Sequence, residues 1–363
     1  MKFRLPVLLL ALPLLSAQFA FAAAATDDRL LAARDAARMR WRLKAQEASL
    51  ERIALELQGH ELESYVEYWR LLPDLGMADP ATIKAFLTRY EGSYIAEKMR
   101  GDWLKMLGKN QQWALFDAEY PLLVNKDNEL LCYYYQRRLN TNDRTVLPEA
   151  RALWFTPASL PDSCTPVFQT LISSGQIKVE DIWTRIRLAL EENQTGVATH
   201  ANRYLPSLEA LNSTELNNAA KNPQRYLETL NRKIKTRSDR EIVLFALLRV
   251  LRNDTNPAYV QWLKVKDQLT ASDRSYFLGR LGYRAAMRHD SRALDWFREA
   301  QNMTPYYPPS DTVLAWQVRA ALRAAQWDEV LKTIERMSPA EQQIDTWRYW
   351  KARALKTKGR TQD

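Results

Sequence analysis

The 363 residues include only ten glycines against 12 tryptophans and an abundance of Ala, Leu, Arg, Glu and Gln, which argues against a β-rich fold. The length exceeds what one hydrophobic core usually covers, so either two domains or an extended repeat array is expected. A net charge of +9 would ordinarily point to nucleic acid, but an exported protein rarely meets any, and the N-terminus reads as an export signal.

Lys2 and Arg4 form a positive n-region, residues 5–15 an apolar run, and Ala20-Phe21-Ala22 offers small residues at the two positions a signal peptidase reads. The run is far shorter than the roughly 20 residues that span a bilayer, so no membrane span is expected. No Cys follows it, which argues against a lipoprotein anchor, and Pro6 and Pro13 argue against a buried helix. Residues 1–22 are therefore expected to be a cleaved signal peptide and the mature chain to be periplasmic. Losing Lys2 and Arg4 with the leader lowers the charge from +9 to +7, since that stretch holds no acid. A polyanionic envelope partner fits this balance, and surface solubility accounts for it equally well.

From residue 23 onward the pattern is helical. Leu30, Leu31, Arg34 and Ala37 begin a 3.6-period stripe that Leu50, Ile53, Ala54 and Leu57 continue. Gly59 breaks the chain, and residues 62–72 form a further helix that Pro73 ends. Asp79-Pro80 places an N-cap ahead of a proline at the first helical position, with Ile83, Phe86 and Leu87 on one face. Two amphipathic helices follow over 94–120. Ala96, Met99, Trp103 and Leu107 form the first stripe, Gly108 the expected turn, and Trp113, Phe116 and Tyr120 the second stripe. Helix, short turn, helix is the unit of an α-solenoid.

A polar stretch at 140–144 precedes a connection punctuated by Pro157, Pro161 and Pro166, too irregular for helix after Trp154-Phe155. Helices are expected again at 167–173, 180–192 and 195–204, and a looser region over 208–222. Then Arg284-Ala285-Ala286-Met287-Arg288 recurs as Arg319-Ala320-Ala321-Leu322-Arg323 at an offset of 35, and faintly as Ala352-Arg353-Ala354-Leu355 about 33 further on. The first copy precedes Ala293-Leu294-Asp295-Trp296-Phe297 and the second Trp327-Asp328-Glu329-Val330-Leu331. A period near 34 with small residues facing large ones marks tetratricopeptide-type hairpins. Residues 347–356 read as the first helix of a third hairpin and Gly359 as its turn, so the chain is expected to be the front part of a longer protein.

Chemistry-bearing motifs are sparse. Cys132 and Cys164 are the two cysteines, 32 positions apart, and in an oxidising periplasm such a pair reads as a structural disulfide. Metal ligation would need more donors than they and the isolated His60, His200 and His289 supply, so no metal or cofactor is expected. No phosphate loop, dinucleotide fingerprint or nucleophile elbow occurs. Glu63-Ser64 is the one candidate general acid, although Tyr65, Tyr68 and Trp69 around it read better as helix packing. Cys132-Tyr133-Tyr134-Tyr135 and Tyr306-Tyr307-Pro308-Pro309 are candidates for stacking on sugar rings, with helix packing and an inter-repeat loop the stronger readings.

Taken in order, the stretch from Ala96 to Tyr120, the block Leu153-Trp154 through Ser159, Pro161, Cys164 and Phe168, and Trp183-Thr184-Arg185 form one pattern. Trp316, Arg319-Ala320-Ala321-Leu322-Arg323, Trp327 and Trp347-Arg348-Tyr349-Trp350-Lys351-Ala352-Arg353-Ala354 complete it. The pattern resembles the N-terminal superhelical region of the soluble lytic murein transglycosylases. The resemblance implies an all-α superhelix (a solenoid) of tetratricopeptide-like hairpins over residues 23–363, U- or ring-shaped. It also implies a following lysozyme-like domain, in which one glutamate cleaves the N-acetylmuramic acid to N-acetylglucosamine bond and releases a 1,6-anhydro sugar. That domain's marker, a Glu-Ser helix followed by a Gly-Leu-Met-Gln loop, is absent here, so no catalytic residue carries over, while the family's cysteine pattern maps onto Cys132 and Cys164. The expected function is that of the non-catalytic superhelical part of a periplasmic lytic transglycosylase. It would act in peptidoglycan cleavage and turnover by positioning glycan strands or other cell-wall enzymes. The alternative is a stand-alone periplasmic helical-repeat scaffold that binds other proteins.

Overall fold

Several helices in this chain start where a side chain satisfies one of their first free N–H groups. Asp79 accepts from the Ala81 amide at 3.0 Å with Pro80 in the first turn, the arrangement that the Asp79-Pro80 pair predicts. Ser93 does the same for Ala96 at 3.2 Å. The computed structural model describes residues 28–36, 52–303 and 308–360. The signal peptide expected over 1–22 lies outside the described residues, as do Ala37, Leu50, Tyr306 and Tyr307. Every regular element among the described residues is helical and none is a strand. No described helix is long and apolar enough to cross a membrane. The chain forms two compact units, the first taking the residues up to Ala152 with Leu160–Gln176, the second Leu153–Ser159 with the residues from Ile177 onward.

In the first unit, helical residues 28–36 and 52–56 precede α1 (Glu63–Leu71), α2 (Pro80–Arg89), α3 (Tyr94–Lys109), α4 (Trp113–Glu119), α5 (Asn128–Asn140), α6 (Val146–Ala152) and α7 (Thr165–Ser173). Pro73 sits in a single 3-10 turn directly after α1, so the proline ends the helix where expected. The stripe Ala96, Met99, Trp103 and Leu107 on α3 is buried and shares its core with Phe116 of α4 and Leu130 and Tyr133 of α5. Each such large apolar side chain contributes about 1.5–3 kcal/mol on leaving water.

Gly108 does not make the expected turn. It lies inside α3, and the chain turns at Gln111, which takes a φ of 57°. The glycine serves a close approach instead: a Cβ at position 108 would stand 2.4 Å from Cγ and 2.8 Å from Cβ of Tyr133. These atoms form the root of that side chain, so relief requires α3 and α5 to move apart. Gly108→Ala should therefore destabilise the first unit by about 1–3 kcal/mol, because overpacking outweighs the roughly 1 kcal/mol of helix propensity that alanine brings. Gly101→Ala on the same helix meets nothing nearer than Leu123 at 3.8 Å and should be neutral or stabilising. Paired urea titrations of the two variants test this, and equal midpoints would refute it.

The proline-punctuated connection is irregular until Pro161, after which a 3-10 turn leads into α7 at Thr165, two residues ahead of the start expected at 167. Pro166 does not delay the helix because it occupies the first turn, where a missing N–H costs nothing.

The second unit stacks hairpins. These are α8 (Val179–Glu191) with α9 (Thr195–Asn202), α10 (Ser213–Lys221) with α11 (Pro223–Glu228), and α12 (Arg237–Asn253) with α13 (Thr255–Val265). Next come α14 (Ala271–Met287) with α15 (Ala293–Gln301) and α16 (Asp311–Arg323) with α17 (Trp327–Glu335); a short α18 (Pro339–Gln342) then leads to α19 (Asp345–Thr357). First helices touch first helices, α8 against α12, α12 against α14 and α14 against α16. The repeat read from the sequence falls at equivalent places, Ala285 and Ala286 near the end of α14 and Ala320 and Ala321 near the end of α16, all buried. Small faces large within the hairpin, where a Cβ on Gly282 would lie 3.0 Å from the Phe297 ring. Part of the supposed loose region over 208–222 is the helix α10. Its pattern is faint because only Leu216 and Ala219 are buried, and its start is fixed by Asn212, which accepts from the Glu215 amide at 3.1 Å.

Within this unit Trp154 is fully buried, donates its indole N–H to the Asp181 carbonyl at 2.9 Å and lies under the Arg185 guanidinium, 5.0 Å from the ring centre. Arg185 in turn donates to the Trp154 carbonyl at 2.6 Å, and burial pushes its pKa down to about 10. Thus the irregular residues 153–159 are held to α8 by carbonyl and ring contacts rather than by helical bonds. A second buried element is ionic. Arg187 of α8 grips Glu241 of α12 with two hydrogen bonds of 2.9 and 2.8 Å and reaches Asp273 of α14 at 2.7 Å.

Candidate functional site

Glu63, the candidate general acid, lines a small cleft with Glu67 and Arg89. One of its oxygens accepts from Arg89 at 2.9 Å and the other from the Gly59 amide at 2.8 Å. Glu67 accepts from the Tyr90 hydroxyl at 2.7 Å and from Arg89 at 3.4 Å. Burial and the Glu67 carboxylate both push the Tyr90 hydroxyl pKa up. Both carboxylates are thus committed to an ion pair and hydrogen bonds within the first unit.

The tyrosine run is committed as well. Tyr133 and Tyr135 are buried, and Tyr134 stacks on Tyr120 with ring centres 4.7 Å apart while Arg138 lies 5.5 Å from its centre. Burial pushes the Tyr133 and Tyr135 hydroxyls up. Cys132 of α5 is joined by a disulfide to Cys164, next to the start of α7. His60 accepts from the Leu62 amide at 3.1 Å, His200 meets Tyr204 edge to face, and His289 follows α14 with a φ of 62°. No group of three or more His, Cys, Asp or Glu side chains able to hold a metal occurs among the described residues. Of the second aromatic candidate, Pro308 and Pro309 line a cleft of about 270 Å³ with Tyr276, Arg280 and Phe297. There the Tyr276 hydroxyl donates to Glu191 at 2.6 Å, and Arg280 pairs with the same carboxylate.

An open groove in the second unit is lined by residues that the sequence does not single out as site candidates. Helices α10 and α11 meet at Asn222, whose side chain accepts from the Arg225 amide at 3.1 Å, and Pro223 opens α11. The chain then returns through residues 229–236 to α12, where Thr236 and Asp239 form a capping box. Between these segments runs a groove of about 410 Å³. Lys221, Arg225 and Arg232 supply its charge, Asn218, Asn222 and Asn231 its amides, and Glu215 its one acid. Arg232 is committed to Asp239 at 2.6 Å and to Glu215 at 3.5 Å. Burial raises the Asp239 carboxyl, but the Thr236 and Lys235 amides, the Arg232 guanidinium and the Thr236 hydroxyl outweigh it and bring it down to about 2. Lys221 and Arg225 make no side-chain ion pair or hydrogen bond among the described residues. The Tyr226 ring, 9% exposed, closes the groove, and its hydroxyl is buried without a hydrogen-bond partner. Burial, followed by the nearby Glu215 carboxylate, pushes that hydroxyl's pKa up.

A groove of this kind offers free cations, free amides and one buried donor, the chemistry that recognises carboxylates and peptide-like amides. A signal for it was present in the sequence, since residues 221–237 hold six cations and one acid, Glu228.

No family model matches the chain. The chain is 23% identical over 323 residues to the soluble lytic murein transglycosylase of Escherichia coli strain K12. Over 322 residues it is 24% identical to the enzyme of that name from Salmonella typhimurium. Each alignment covers 86% of this chain and 48% of the relative, so the chain spans about half the length of the curated relatives it matches. An inactive mutant of the lytic transglycosylase Slt from Pseudomonas aeruginosa has a similar fold, with a TM-score of 0.56 at 24% identity. That match covers 89% of this chain and 52% of the other. The resemblance to soluble lytic murein transglycosylases therefore holds across most of the chain, and its all-helical hairpins are consistent with their N-terminal superhelical region.

Proposed function

We propose that this chain, a relative in sequence of the soluble lytic murein transglycosylases, is the non-catalytic superhelical portion of such an enzyme. In this reading it acts in peptidoglycan cleavage and turnover by positioning glycan strands, or other cell-wall enzymes, for a lysozyme-like domain. The sequence likeness over 323 residues carries the reading. The net charge of +7 left after loss of residues 1–22 and the uncommitted cations of the second unit support it, because a peptidoglycan strand bears carboxylates along its length. Packed hairpins suit a positioning role, because helices held by burial and ion pairs fix where the cations they carry are displayed.

The test is a pull-down of the purified mature chain on sacculi. Retention at low salt that weakens as ionic strength rises is expected, since exposed charges are screened beyond about 8–10 Å near physiological salt. No retention at low salt would remove the glycan-positioning role. The same sacculi, incubated with this chain alone, should release no anhydro-muropeptides, and their release would overturn the non-catalytic reading. Residues 1–22 are proposed to direct export, so the N-terminus of the periplasmic protein should begin after Ala22.

A further inference from the structure

The groove between α10, α11 and residues 229–232 has a selective chemistry. We propose that it binds an acidic peptide with free carboxylates and that, resting on the peptidoglycan reading above, its occupant is the peptide stem of peptidoglycan and not the sugar backbone.

Three features converge on a peptide. Lys221 and Arg225 face the groove without partners among the described residues, and the planar guanidinium of Arg225 suits two-pronged contact with a carboxylate. The side-chain amides of Asn218 and Asn231 likewise make no hydrogen bond among the described residues, and each offers the donor and acceptor that a peptide bond requires. The Tyr226 hydroxyl is buried and makes no hydrogen bond of good geometry, although Glu215 and Arg232 lie near it, so a carbonyl or carboxylate oxygen in the groove can accept from it.

Two features argue against other occupants. A sugar ring that binds by stacking needs an exposed aromatic face, and the groove's one ring, Tyr226, is 9% exposed. A phosphate dianion would meet the Glu215 carboxylate, which shares the groove with the cations, whereas a chain with spaced carboxylates can keep them beside Lys221 and Arg225. The volume of about 410 Å³ suits a short segment, falling within the roughly 300–1,000 Å³ of small-ligand sites.

The test titrates the purified mature chain by calorimetry with the tetrapeptide that an amidase frees from peptidoglycan, alongside chitotetraose and inorganic phosphate. Saturable binding of the tetrapeptide is expected. Lys221→Ala with Arg225→Ala should weaken it about tenfold or more, the scale of losing one charge-assisted hydrogen bond. Tyr226→Phe, which keeps the ring, should weaken it by about three- to tenfold, as for one neutral hydrogen bond. Lys221 and Arg225 are exposed, so an unchanged thermal melt will show that the double variant folds. Failure of the tetrapeptide to bind, binding indifferent to these substitutions, or equal binding of chitotetraose or phosphate would overturn the assignment. A parallel pull-down on intact and amidase-stripped sacculi separates this failure from that of the broader reading. Equal retention on both overturns the peptide assignment alone, whereas retention on neither, with no tetrapeptide bound, overturns both.

Discussion

Arg187→Ala is expected to destabilise the second unit by about 3–5 kcal/mol, the cost of leaving buried carboxylates without their cation. The Glu241 side chain is 2% exposed and that of Asp273 7%, so neither can recover its lost partner from water. Arg187 meets both, with two hydrogen bonds to Glu241 at 2.9 and 2.8 Å and one to Asp273 at 2.7 Å. The remaining cations compensate unequally. Arg240 still holds Asp273 at 3.1 Å, whereas Arg237 stands 3.6 Å from Glu241. Glu241 therefore becomes the worse orphan, and adding Glu241→Gln to Arg187→Ala should return part of the loss. Burial raises the Asp273 pKa, but the Thr270 hydroxyl and the Arg187 and Arg240 guanidinia outweigh it and hold the carboxyl below its usual range. A depressed folded pKa gives stability that is complete above the unfolded value of about 3.9 and is lost as pH falls through the folded one. The gap between wild type and variant should therefore be full at pH 7 and should narrow below about pH 4. Denaturant titrations at both pH values measure it, and a loss under 1 kcal/mol at pH 7 would mean that the three helices do not depend on this cluster.

That cluster also shows where sequence reading stops. Arg187 and Glu241 are 54 positions apart and Arg187 and Asp273 86, and each looks like an ordinary charge on the outer face of a helix. Only the stacking of α8, α12 and α14, a tertiary fact, turns them inward. The hairpins themselves were legible because burial writes a local period: Ala96, Met99, Trp103 and Leu107 are spaced by three and four residues, and all are buried. Gly108 looks like a turn for the same reason, since it follows a stripe, but the need for it comes from Tyr133, 25 positions away. In the groove, the cations of residues 221–237 were legible as composition, but the uncommitted state of Lys221 and Arg225 was not. Whether a lysine or arginine is paired depends on which acids the fold brings near, and here Asp239 and Glu215 go to Arg232. Glu63 is the converse, an acid singled out by its neighbours in sequence that the fold hands to Arg89.

Replacing Cys132 and Cys164 together by alanine is expected to cost the first unit about 3–4 kcal/mol, the chain-entropy value for a crosslink closing a loop of 32 positions. The loss should arise mainly in the unfolded ensemble, because other contacts hold the same turn against α5. The Gln136 amide donates to the Ser163 carbonyl at 2.5 Å and the Ser163 hydroxyl to the Glu129 carbonyl at 3.2 Å. Helical circular dichroism without denaturant should therefore match wild type while the urea midpoint falls. Alanine is the right replacement, since both sulfurs lie in residues at most 1% exposed and a serine hydroxyl there would add a desolvation cost of its own. Burial should also make reduction of the native protein slow and reduction in urea fast, because thiol exchange needs access to a sulfur. Reductant should then lower the wild-type midpoint to that of the double variant and leave the variant itself unmoved. A double variant as stable as wild type would show that the unfolded loop is already confined without the bond, whereas loss of helix in the absence of denaturant would show that the turn depends on the crosslink and not on Gln136 and Ser163.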